Sequence, residues 1–118
     1  MRYALLIYSD TEVRDQTPVE RRDQINAGIA EVLDRPHVTS YLRLQDVESA
    51  TTVHYARGRT LLTDGPFVDS KDFLGGLIVV EAENLDGALA VADELQELRA
   101  AGSIEVRPVR EEDLLSGA

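Results

Sequence analysis

Leu74-Gly-Gly-Leu-Ile-Val-Val-Glu81 is the most apolar stretch of the chain, and the fold turns on how it is read. An unbroken run of branched residues predicts a strand, and Gly75-Gly76 marks a place where another backbone can approach closely. Side chains alternate along a strand, so Leu77 and Val79 point to one face and Ile78 and Val80 to the other. A strand that is apolar on both sides needs cover on both.

Upstream, Tyr3-Ala-Leu-Leu-Ile-Tyr8 predicts a second strand of the same kind, stopped by Ser9-Asp10. Thr17-Pro18-Val19-Glu20 predicts a helix start: Thr17 caps, Pro18 takes the first helical position and Glu20 completes a capping box. Ile25, Ile29, Val32 and Leu33 then make one apolar stripe, and Pro36 stops the helix. Asn84 caps a second helix with Asp86 in its first turn. Its expected stripe is Leu85, Leu89, Ala92 and Leu95, and Gly102 ends it. Strands are predicted over Ser40–Gln45, Thr51–Arg57, Thr60–Thr63 and Ser103–Arg107, with Gly58 in a tight turn between the middle two. Asp64-Gly65-Pro66-Phe67 breaks the pattern as a turn.

The order is strand, helix, strand, hairpin, strand, helix, strand. Two split βαβ units on an antiparallel sheet give an α+β, ferredoxin-like sandwich with two helices on one face and an extra hairpin. The other sheet face keeps one of the two apolar sets of 77–80. Exposed patches of that kind mark interfaces, so a homodimer packed sheet against sheet is expected.

Length and composition narrow the functions. The chain has 118 residues, enough for one domain, here 1–109, with an acidic tail over 110–118. It carries 12 Lys and Arg against 22 Asp and Glu, a formal charge of −10. That opposes binding to nucleic acid or to an anionic membrane. No cysteine is present, which removes disulfides, thiolate nucleophiles and zinc fingers and fits the reducing cytoplasm. The apolar start is too short for a signal peptide, and no run reaches the length of a membrane span. Asp64, Asp69 and Asp72 lack the spacing of a calcium loop, and no phosphate-binding glycine loop occurs, so neither metal nor cofactor is expected.

At Asp64-Gly65-Pro66-Phe67 the chain resembles the DGPF-domain, or YCII-related, family. Met1–Tyr8, Ala50-Thr-Thr-Val-His54, Leu62–Phe67, Lys71, Leu74-Gly-Gly76 and Gly102–Pro108 follow in family order. Val68-Asp69-Ser70 departs modestly from the usual Ala-Glu-Thr, and His54 stands where arginine is common. The resemblance implies a dimeric α/β-barrel. It also implies an enzyme-like cleft, since the wider group carries a proposed His–Asp pair. A link to sigma factors of the extracytoplasmic-function type is implied as well.

Several residues have both a chemical and an architectural reading. Asp64 is a general acid or base, or a carboxylate that fixes its own turn. His54 titrates near neutrality and is the histidine inside a predicted strand; the hairpin is expected to bring it near Asp64. Tyr8 and Asp10 end the first strand, where loops carry function on rigid scaffolds. Phe67 is a core anchor or a pocket wall. Lys71 binds an anionic ligand or pairs with neighbouring aspartates. His37, after Pro36, is expected in solvent. The functions in play are a cofactor-free acid–base enzyme on a small organic molecule, a non-catalytic ligand-binding or accessory module acting on a sigma factor, and a dimeric structural domain.

Overall fold

The computed structural model describes residues 1–111. Ten elements follow one another: β1 (Arg2–Asp10), α1 (Thr11–Gln16), α2 (Val19–Leu33), β2 (Val38–Arg43), a 3-10 turn (Val47–Ser49), β3 (Thr51–Ala56), β4 (Arg59–Asp64), β5 (Asp72–Glu81), α3 (Leu85–Arg99) and β6 (Ser103–Pro108). Four strands form one antiparallel sheet in the order β2-β5-β1-β6. β5 and β1, the two strands apolar on both faces, sit at its centre. This is the ferredoxin-like α+β arrangement that the order of elements predicts.

The core lies between this sheet and the helices α2 and α3. Tyr3 and Leu5 of β1, Ile78 and Val80 of β5, Val32 of α2 and Ala88, Ala92 and Leu95 of α3 are buried there. The ladder pairs Tyr3 with Val80 and Leu5 with Ile78, so these four share the helix-covered face. Ala4, Leu6, Leu77 and Val79 therefore stand on the other face, and no helix among the described residues covers it. Leu42, opposite Leu77 on the same side, is 50% exposed. Of the two alternatives, Ile78/Val80 is the covered set and Leu77/Val79 the open one.

Two helix details differ from expectation. Asp10 caps a short helix, α1, that the polar sequence Thr11–Gln16 does not advertise; its carboxylate accepts from the N–H groups of Glu12 and Val13. Thr17 ends that helix instead of capping the next, and its hydroxyl donates to the Val13 carbonyl. Pro18 opens α2 with no side-chain cap. In α3, Asn84 caps as expected by accepting from Gly87 N–H. The buried stripe is Ala88, Ala92 and Leu95, while Leu85 and Leu89 are 46% and 44% exposed. Alanines let the helix lie close to the sheet, and the leucines fall on the outer flank.

β3 and β4 form a separate two-stranded hairpin, which among the described residues joins no strand of the main sheet. Its turn is Arg57-Gly58, both at positive φ (52° and 78°), the backbone of a two-residue turn matched to strand twist. His37 is half-buried, not in solvent, and its carbonyl accepts from Glu81 N–H. Of the acidic tail, Glu111 is tied down by accepting from Arg2 N–H, and residues 112–118 lie outside the described residues.

Candidate functional site

A two-residue turn fixes the hairpin register, and the register separates His54 from Asp64. His54 pairs with Leu61 and Asp64 with Thr51, so the two side chains project from opposite faces of the ribbon. The His54 ring rests on Phe67, centroids 5.6 Å apart, and Phe67 is itself 75% exposed. The Asp64 carboxylate is exposed and makes no hydrogen bond or ion pair among the described residues. The Asp64-Gly65-Pro66-Phe67 turn is instead held through Gly65: its N–H donates to the Ala50 carbonyl (2.8 Å), and the Thr52 hydroxyl donates to the Gly65 carbonyl (2.7 Å).

A large concavity lies elsewhere among the described residues. A cleft of about 1680 Å³ opens on the helix side of the sheet, between α1 and α2 and the ends of β1, β2 and β5. Asp10 borders it; Tyr8, His54, Asp64, Phe67 and Lys71 do not. Tyr8 pairs with Ser103, one step from the Ile7–Ile104 pair of the core side, so its ring faces the open side of the sheet.

A β-bulge shapes the cleft. Ile7 pairs with Gly76 and Tyr8 with Leu74, leaving Gly75 as the extra residue. Bulges re-aim neighbouring side chains. Beyond this one, Ser9 and Phe73 form a pair, and both border the cleft beside the two glycines.

Charged groups ring this end. The Arg14 guanidinium grips both oxygens of Glu48 (2.9 and 3.2 Å) and donates through Nε to Asp15 (2.9 Å). It lies 5.4 Å from the centre of the Phe73 ring. These hydrogen bonds raise the Arg14 pKa and hold that of Glu48 below its ordinary value. The hydrogen bonds from Val13 and Glu12 N–H hold Asp10 ionised below its ordinary range, with help from Lys71 at 3.6 Å. Arg99, from the last turn of α3, differs. It donates to the Tyr8 carbonyl (2.7 Å), the Gln96 amide oxygen (2.7 Å) and the Ser9 hydroxyl (3.3 Å). It has no carboxylate partner among the described residues, and burial pushes its pKa down.

The sign of the acid dependence follows. A carboxyl group with a lowered folded pKa stabilises the fold fully above its unfolded value, here 3.8 for Asp10 and 4.5 for Glu48. That contribution disappears as pH falls through the lowered folded values. The urea midpoint is therefore expected to be higher at pH 7 than at pH 3. The D10N/E48Q double variant, which keeps a capping side chain at position 10, should narrow that difference.

The model of the YCII-related domain matches residues 1–113. The uncharacterized protein R00369 of Rhizobium meliloti (strain 1021) is 31% identical over 115 residues, 92% of each chain. Among solved structures, the chain is similar to 5-chloro-2-hydroxyhydroquinone dehydrochlorinase (TftG) from Burkholderia phenoliruptrix AC1100, in complex with 2,5-dihydroxybenzoquinone. That likeness covers 95% of this chain and 96% of the other, with a TM-score of 0.53 and 15% identity, and it is a likeness of fold.

Proposed function

Because the chain belongs to the YCII-related family and builds this cleft on a ferredoxin-like sheet, we propose that it acts on a small organic molecule held there, by cofactor-free acid–base chemistry. The carrying observation is the cleft itself: Ile7, Ile25, Ile29 and Phe73 give it an apolar part, and polar and charged side chains of α1, α2 and β2 make up the rest of its lining. A concave site that combines apolar walls with polar groups is the general form of a small-molecule site. TftG, of similar fold, holds 2,5-dihydroxybenzoquinone, so the scaffold accommodates a small ring compound.

Of the carboxylates that border the cleft, Asp10 directly follows the Ser9–Phe73 pair; its cap bonds both go to Oδ1, and Oδ2 is the atom that would exchange a proton with a bound molecule. Lys71 beside it tunes its charge. His54 and Asp64 stand on the hairpin and join this chemistry only where a second copy of the chain brings them to the cleft. The test is a thermal-shift screen of small organic molecules on the wild type and on Ile29→Trp, which fills the cleft. Hits that stabilise the wild type and lose their effect in the variant support the reading. Hits indifferent to Ile29→Trp overturn it.

The open sheet face supports a homodimer. Leu6, Leu42, Leu77 and Val79 together present an apolar surface that a second copy would bury. Leu77→Asp is expected to leave a folded monomer by analytical ultracentrifugation, where the wild type sediments as a dimer.

A further inference from the structure

Residues opposite one another on a hairpin share a face, so Val53, Tyr55 and Leu62 stand together on one side of the β3–β4 ribbon. They are 64%, 77% and 72% exposed. On the other side Phe67 lies against His54. A two-stranded hairpin is marginal in water until a further layer covers it. The chain is also extended for its length: its radius of gyration is 16.5 Å, against about 13 Å for a compact domain of this size. The charge of the ribbon is opposite to that of the rest. Residues 51–64 hold Arg57, Arg59 and Asp64, a sum of +1, which leaves −11 for the remainder of a chain whose total is −10. Arg57 and Arg59 flank Gly58 at the tip and are exposed, and neither side chain forms a hydrogen bond or ion pair among the described residues.

The cleft has the complementary properties. A small-molecule site holds about 300–1,000 Å³. At about 1680 Å³ the cleft has room for more than its ligand. Its lining carries six carboxylates against four arginines, Arg43 among them. Asp34, where α2 ends, and Asp46, after β2, both border it. Their carboxylates are exposed and make no hydrogen bond or ion pair among the described residues. Ile25, Ile29 and Tyr41 supply apolar wall. The described residues that line the cleft include none from 51–64, so the chain's own hairpin does not fill it. An exposed apolar ribbon with an unanswered cationic tip thus matches an oversized cleft with apolar wall and unanswered carboxylates.

We infer that the hairpin of a second copy docks in this cleft, with Val53, Tyr55 and Leu62 on its apolar wall and Arg57 and Arg59 at Asp34 and Asp46. In a two-fold dimer the exchange is reciprocal, so each copy gives a hairpin and receives one. Guanidinium groups suit the contact because they present planar, forked donors to carboxylate oxygens. The docked hairpin narrows the cleft towards the size of a small-molecule site, and it is the condition under which His54 reaches that site. The inference goes beyond the small-molecule reading and stands or falls without any ligand.

The experiment uses two charge-reversed forms of the full chain, Arg57→Glu/Arg59→Glu and Asp34→Arg/Asp46→Arg. None of the four side chains makes a hydrogen bond among the described residues, so both forms are expected to fold as the wild type does, which circular dichroism checks. Sedimentation over a concentration series is expected to show each form dimerising about tenfold or more weakly than the wild type, because like charges then meet. Mixed in equal amounts, the two forms are matched at both hairpins, and dimerisation should return close to the wild-type strength. Amide hydrogen exchange over 51–64 should slow as protein concentration rises in the wild type and in the mixture, but not in either form alone. A wild type that stays monomeric, variants that dimerise as tightly as the wild type, or variants that stay weak when mixed overturn the docking. So does exchange over 51–64 that ignores protein concentration. Each of these results leaves the small-molecule cleft standing, since no ligand is present.

Discussion

Gly102→Ala is expected to destabilise the chain by about 2–5 kcal/mol, from two additive causes. Gly102 sits at φ +73°, where a Cβ costs about 1–2 kcal/mol. The same Cβ would run into the Tyr8 carbonyl oxygen and come within 2.8 Å of the Arg99 guanidinium. Crowding of this kind adds about 1–3 kcal/mol, because the obstacle is backbone and cannot swing aside. Gly58 is the internal control. Its φ is +78°, yet an added Cβ meets nothing within 4 Å. Gly58→Ala should therefore show the conformational cost alone, about 1–2 kcal/mol. Urea unfolding of both variants separates the two causes. Equal losses would mean that the Gly102–Tyr8 approach is not tight, and the placement of Arg99 beside it would lose its support.

Leu5→Ala is expected to cost about 3–5 kcal/mol. Leu5 is fully buried at the centre of the sheet, paired with Ile78 on one side and Val106 on the other, under the helices. Removing its side chain leaves a cavity that rigid strands cannot close. Leu6→Ala is the comparison, one residue along and on the open face. Measured at low protein concentration, where a dimer dissociates, Leu6→Ala should cost well under half as much. A rise in that cost with protein concentration would locate the second copy on the open face. Equal, concentration-independent losses for the two leucines would contradict the assignment of faces.

The central architecture was legible because alternation is a strong signal. An apolar run such as Leu77–Val80 can only be a strand that needs cover on both sides, and the helix stripe at Ile29, Val32 and Leu33 has the period of one face. The register of the hairpin was also available. With a two-residue turn at Arg57-Gly58, Ala56 faces Arg59 and Asp64 faces Thr51, which puts His54 and Asp64 on opposite sides. Proximity in sequence concealed this. Helix α1 was hidden because Val13 is the single strongly apolar residue in Thr11–Gln16, although Asp10 followed by Glu12 is the signature of a capped first turn. Thr17-Pro18 drew the cap to the wrong helix: threonine before proline serves equally as the end of one helix and the approach to the next.

The cleft arginines left no mark in the sequence. Arg14, Arg43 and Arg99 read like any surface arginine, since what distinguishes them is the company each keeps in three dimensions. Arg14 is matched to Glu48 across 34 positions of chain, and Arg99 reaches the Tyr8 carbonyl across 91. Such pairings depend on how α1 and α3 seat against the end of β1, which no local pattern encodes. Ser9 and Gly75 gain their meaning only from the bulge between them.

The most direct measurement is a map of where small organic molecules bind, made by amide chemical-shift perturbation over the whole chain with the hits of the thermal-shift screen. The expected shifts cluster at Ile7–Asp10, Phe73–Gly76 and Arg99–Gly102, the segments that converge on the cleft. Shifts concentrated instead on the hairpin around His54, Asp64 and Phe67, with the cleft amides unmoved, would contradict the central claim and return the site to the turn.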